Sequence, residues 1–282
     1  MSLCPHCGQP IRRATGCTAC AAKTVWRLPA REAVFERRLR LAAVPLALLV
    51  AWLLVHGGLS HVLLRTFFSM WVHETGHALA AWLCGLFAFP GPWFTPVGGE
   101  RSWLIVLLVT GAIGLLGYRA WRGRHYVPAA LIVLLLPAQL MCTFGLSHRR
   151  VEELVLFGGD AGCMLIGTLL MTTFYVRKDS SIRTGWLRWG FLVIGAAAFA
   201  DAFATWWAAR TNLDAIPFGE NEGTGPSDPS RLVDMYGWSV SSLIHRYVSL
   251  GLLCLIVLAI VYGVGLGGSR PESEGPQAED SR

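Results

Sequence analysis

The chain has 282 residues, 54% of them hydrophobic and only 15% charged, with a mean hydropathy of +0.48. That balance excludes an ordinary soluble domain and points to an all-α polytopic membrane protein. The net charge of +6 does not signal nucleic acid: basic residues flank apolar runs, as Arg37, Arg38 and Arg40 do, and no basic stripe with interleaved aromatics occurs.

Residues 1–22 form a compact polar unit. Cys4-Pro5-His6-Cys7 and Cys17-Thr18-Ala19-Cys20 are two Cys-x-x-Cys pairs nine residues apart, the spacing of two knuckles that close a tetrahedral zinc ribbon. So short a segment has no core of its own, and bound Zn²⁺ would supply most of its folding energy. The spacing predicts one structural zinc on Cys4, Cys7, Cys17 and Cys20. The polar, cysteine-rich start does not read as a cleavable signal peptide.

Residues 23–40 read as a basic connector, followed by a transmembrane domain over 41–265. Apolar runs of about 20 residues fall near 41–63, 64–89, 103–121, 125–146, 154–176, 186–209 and 243–265. Gly57, Gly58 and Ser60 separate the first two poorly, so six or seven crossings are expected. Phe89-Pro90-Gly91-Pro92-Trp93-Phe94-Thr95-Pro96 is apolar yet rich in helix breakers, and suits either a strand-like segment dipping into the bilayer or an interfacial loop. The hydrophilic stretch 210–242 predicts a loop outside the membrane, and 266–282 a disordered tail. With the ribbon in the cytoplasm, seven strict crossings would place Arg119, Arg122 and Arg124 outside, against the positive-inside tendency. One fewer crossing, or a re-entrant segment, before residue 118 removes the conflict.

The chemistry sits in the second run. His73-Glu74-Thr75-Gly76-His77 puts two imidazoles four residues apart on one helical face, where both can hold one metal ion. Glu74 is placed to take a proton from a metal-bound water. In lipid such residues are costly unless they face a cavity, a partner or a metal. A catalytic zinc needs a third protein ligand. Asp160, in Gly158-Gly159-Asp160-Ala161-Gly162, is the first candidate, although it also suits a helix N-cap. Asp201 is the other acid deep in an apolar run and reads better as a supporting or structural group. Glu152 and Glu153 read as an interfacial turn with Arg149 and Arg150. Gly76 would let another backbone, or a substrate, approach the metal.

These motifs resemble the site-2-protease family of intramembrane zinc metalloproteases, whose pattern is His-Glu-x-Gly-His with an Asp from a later span. The resemblance implies hydrolysis of peptide bonds in membrane-associated protein substrates, with His73, His77 and Asp160 on a catalytic Zn²⁺ and Glu74 as base. It also implies a membrane-inserted hairpin after the first motif. Two other readings compete: a prenyl-protein-type membrane metalloprotease, in which Glu152 or Glu153 would take the place of Asp160, and a zinc-binding membrane scaffold or sensor without catalysis.

Overall fold

A computed structural model describes residues 30–124, 126–176, 180, 185–221 and 225–267. The expected ribbon with Cys4, Cys7, Cys17 and Cys20, residues 23–29 of the connector and the tail from 268 onward lie outside the described residues. Among the described residues, six helices are long and apolar enough to cross a membrane, the architecture of a multi-pass membrane protein. Their outer faces carry exposed Leu, Val, Phe and Trp side chains, such as Leu104, Leu107 and Leu108. Apolar patches of that extent are rare on a protein surrounded by water.

Helix α1 (Ala30–Val55) begins inside the expected connector, so residues 30–40 are continuous with the first span. It breaks at Gly57. The chain resumes as α2 (Gly58–Leu64), passes through a π turn (Arg65–Ser69) and continues as α3 (Met70–Leu83). Ser60 caps the break by donating its hydroxyl to Leu54 O at 2.7 Å, the kind of side-chain repair that a broken helix needs in lipid. Gly85, at φ +78°, takes the left-handed conformation that ends a helix and turns the chain into a hairpin. Strand β1 (Leu86–Ala88) pairs antiparallel with β2 (Val97–Arg101), with a bulge between the pairs Leu86↔Arg101 and Ala88↔Val97. The breaker-rich segment thus forms the loop of a hairpin.

Helix α4 (Trp103–Arg122) follows, then α5 (Tyr126–Val133) and α6 (Leu135–Leu140), which with a π turn (Met141–Gly145) make one apolar stretch. Helix α7 (His148–Thr172) starts six residues before the expected span, so Arg149, Arg150, Glu152 and Glu153 form its first turns. Helix α8 (Leu187–Ala208) packs on α7 where Gly195 faces Gly167, a Cβ on either meeting the carbonyl oxygen of the other, and its Ala196, Ala197, Ala198, Ala200, Ala202 and Ala204 are all buried. The polar stretch after α8 contains a two-stranded ribbon, β3 (Glu220–Asn221) with β4 (Gly225–Pro226). A single helical turn α9 (Asp228–Ser230), a π turn (Arg231–Met235) and α10 (Val240–Gly267) complete the fold.

Hydrogen bonds tie the ends together. At one end, Arg40 donates to Gly265 O and Val176 O, Arg188 pairs with Glu36, and Tyr262 donates to Leu41 O. The start of α1, the end of α7, the start of α8 and the end of α10 therefore share one face. At the other, Arg101 donates to Leu146 O and Arg149 to Tyr236 O, while Tyr236 donates to Glu152. The hairpin, the start of α7 and the polar stretch after α8 meet there. Helix α1 stops beside the middle of α8, where Trp52 shares a cleft with Phe199 and Phe203 and where His61 reaches Asp201. The segment from Gly58 to Leu83 then runs on toward the hairpin end. The first two expected spans therefore make one traverse, and Arg119, Arg122 and Arg124 lie at the end of α4 remote from the hairpin.

Candidate metal centre

His61, Arg65, Ser69, His73 and His77 recur every fourth residue. On a regular α-helix such a stripe would drift by about 40° per step, because the turn holds 3.6 residues. The π turn at Arg65–Ser69 inserts one residue, offsets the drift and keeps the stripe facing α7 and α8. Two polar clusters result. In the first, the buried Asp201 accepts from His61 Nε2 at 2.8 Å and from Arg65 Nη1 at 3.2 Å. Asp201 is thus a partner of the α2 end of the stripe. Ser69 and Cys163 meet further along.

The second cluster holds the motif. Helices α3 and α7 approach at backbone distance because glycine faces glycine: a Cβ on Gly76 would meet Gly158 O and Gly162 Cα, and one on Gly162 would meet Gly76. The close approach expected at Gly76 is made by the α7 backbone. Each histidine is then fixed through Nδ1. His77 Nδ1 lies 2.6 Å from Val155 O, and since a carbonyl only accepts, Nδ1 carries the proton. His73 Nδ1 lies 3.0 Å from Asp160 Oδ1, and Asp160 Oδ2 accepts from the indole N–H of the buried Trp206 at 2.7 Å. Both Nε2 atoms are left to point at a common place.

The acid at that place is Asp228. Its Oδ2 lies 3.2 Å from His73 Nε2 and 3.1 Å from His77 Nε2, and the two Nε2 atoms are 3.1 Å apart. Three acceptor-capable atoms crowded this closely repel one another unless a cation or protons sit among them. Zinc bonds of about 2.0 Å in tetrahedral geometry put ligand atoms about 3.3 Å apart, which is the triangle found here. Gly159 closes one side: a Cβ there would come within 2.6 Å of both Nε2 atoms. Burial alone would raise the pKa of Asp228, but His77 and His73 outweigh it and hold the carboxyl well below the usual carboxylate range.

The sequence placed Asp160 as third ligand, and the structure places it on the other nitrogen of His73. A second group, His73, Asp160 and Cys163, also has its ligand atoms within 4.8 Å of one another, but it leaves out His77, and Trp206 already holds one oxygen of its acid. Asp228 escaped because it lies in a hydrophilic stretch that reads as an extramembrane loop. Its one sequence signal is Ser227-Asp228-Pro229, a helix-start pattern. The stretch folds back because Leu232 is fully buried, Tyr236 latches to α7 as described above, and Ser227 and Ser230 bond to each other and to Gly219.

Glu74 is buried, and its Oε2 accepts from Thr95 of the hairpin loop at 2.7 Å. Glu152 and Glu153 are engaged by Tyr236 and His148, and by Arg149 and Arg150, respectively. They belong to the latch and lie outside the histidine cluster. The chain matches no family model, and comparison with curated proteins and with solved structures finds no similar protein.

Proposed function

We propose that the protein is an intramembrane zinc metalloprotease, with His73, His77 and Asp228 as the protein ligands of the catalytic metal and Glu74 as general base. The observation that carries the reading is the triangle of Nε2, Nε2 and Oδ2 atoms near tetrahedral edge lengths, with the buried Glu74 one residue along the chain from His73. Zinc held there would polarise a carbonyl oxygen and lower the pKa of water towards about 7. Glu74 takes the proton from the attacking water and returns it to the leaving amine. Asp160 and Val155 O hold the imidazoles in the tautomer that offers Nε2. Trp206 holds Asp160.

Peptide hydrolysis is favoured over other hydrolytic chemistry by the His-Glu-x-Gly-His resemblance and by the membrane setting, which selects membrane-associated protein segments as substrates. The substrate must be extended at the scissile bond, because helical carbonyls are already hydrogen-bonded. Cys4, Cys7, Cys17 and Cys20 bind a second, structural zinc. The ribbon and the end with Arg37, Arg38, Arg40, Arg119 and Arg122 lie in the cytoplasm, following the positive-inside tendency.

Zinc content measured together with cleavage of a model transmembrane peptide tests this. The expected result is two zinc per chain, one of them lost in the His73→Ala, His77→Ala variant, with cleavage abolished by Glu74→Gln. One zinc per chain that survives the double histidine change would rule out the metal centre and leave a ribbon-bearing scaffold.

A further inference from the structure

We infer that Thr95 is the positioning residue of Glu74, holding Oε2 so that Oε1 is left as the proton-accepting atom. The inference rests on the metal-centre reading above and goes beyond it to the hairpin. The Thr95 hydroxyl lies 2.7 Å from Glu74 Oε2 and 3.0 Å from the backbone carbonyl of the same residue. It has one proton to donate. The carboxylate is closer and charged, and a charge-assisted bond is about twice as strong as one between neutral groups, so the carboxylate takes it.

The hydroxyl is itself held in place. Pro96 restricts Thr95 to extended backbone. Pro96 O accepts from Phe89 N at 3.2 Å across the hairpin, and Gly91 N donates to Phe94 O at 3.2 Å, closing the turn just before Thr95. A Cβ on Gly91 would come within 2.5 Å of Phe94 O, so the turn requires glycine there. A buried carboxylate on a helix has several rotamers, and one fixed donor selects among them. Thr95 thus acts through Glu74, and it comes from an element outside the motif.

The test uses the zinc-loaded full chain in detergent and benzohydroxamate as probe. This compound chelates zinc through two oxygens and donates a hydrogen bond to a correctly aimed base carboxylate. Calorimetry compares the unaltered protein with Thr95→Val, Thr95→Ser and Glu74→Gln, and His77→Ala serves as the blank. Thr95→Val and Glu74→Gln should each bind about tenfold more weakly, the value of one hydrogen bond to a charged group. Thr95→Ser should bind like the unaltered protein, and all three variants should keep their zinc. On a model transmembrane peptide, Thr95→Val should lower kcat and leave KM unchanged.

Unaltered affinity in Thr95→Val overturns the inference. So does a Thr95→Ser variant as weak as Thr95→Val, which would assign the effect to the methyl group. Loss of zinc in Thr95→Val overturns it too, since Thr95 would then be supporting the fold of the site. Absence of probe binding above the His77→Ala blank in the unaltered protein is a different result, and it removes the metal-centre reading itself.

Discussion

Asp160 meets His73 at Nδ1, 3.0 Å away, while Asp228 meets the same ring at Nε2, 3.2 Å away. The two acids therefore act on opposite edges of one imidazole, and their removal has different consequences. In the proposed centre Asp228→Ala takes away a ligand and should abolish binding of zinc at the histidine pair. Asp160→Asn leaves the ligand set intact. His73 and Trp206 meet different oxygens of Asp160, and an amide sets its NH2 donor against one of them, so zinc affinity should fall by about 10–100-fold, as for other groups that orient a ligand. Competition with a chromophoric chelator measures both. Equal losses in the two variants would reverse the assignment.

Gly159→Ala offers a steric test of the same centre. The added methyl would lie 2.6 Å from both ligand nitrogens, and a helix on the whole gains from Ala in place of Gly by about 1 kcal/mol. The variant should lose the zinc proposed at the histidine pair while its helical circular dichroism is retained. Metal analysis beside circular dichroism reads the two effects separately.

Glu74→Gln keeps the shape of the side chain and its bond from Thr95 but removes the base. Cleavage of a model transmembrane peptide should drop by about 10²–10⁴-fold, the usual contribution of a general base, with zinc content unchanged. Full activity in this variant would sink the hydrolytic mechanism.

Trp206→Phe removes the only donor that Asp160 Oδ2 receives from α8. The indole also stacks on Tyr247 at 4.2 Å, and Tyr247 stacks on Phe157 at 4.3 Å. The phenyl ring can preserve much of that stack but not the hydrogen bond. A buried carboxylate oxygen without its donor costs about 1–3 kcal/mol, to be seen as a lower unfolding midpoint in detergent, together with weakened zinc binding.

The helices were legible in the sequence because length and apolar composition alone decide whether a segment can span a bilayer. His73, Glu74 and His77 were legible because a four-residue spacing shares a helical face. The close approach of α7 could be read from Gly76 and the glycines around Asp160. The break after Val55 was visible as Gly57-Gly58, but not its depth, which depends on where α8 places Asp201. Asp228 was hidden for a related reason. Local composition marks 210–242 as polar, and only tertiary contacts made by Leu232 and Tyr236 bring one of its acids to the histidines.

The two ends of the helix bundle differ in charge, and that difference is an address. Arg37, Arg38, Arg40 and Arg188 stand at one end, with Arg119 and Arg122 in the last turn of α4 and Arg124 just past it, away from the hairpin; Thr95 and Asp228 belong to the other, where Arg149 and Arg150 are paired with Glu153. If the end with Arg37, Arg38, Arg40, Arg119 and Arg122 is the cytoplasmic one, as the positive-inside tendency favours, Asp228 of the proposed centre faces the opposite compartment. The loop bearing Asp228 is then bathed by the solution outside. A cysteine substituted at Asn221 should react with an impermeant maleimide on intact cells, and one at Arg37 should not. The supply of metal to this site would then be that of the exterior, not of the cytosol.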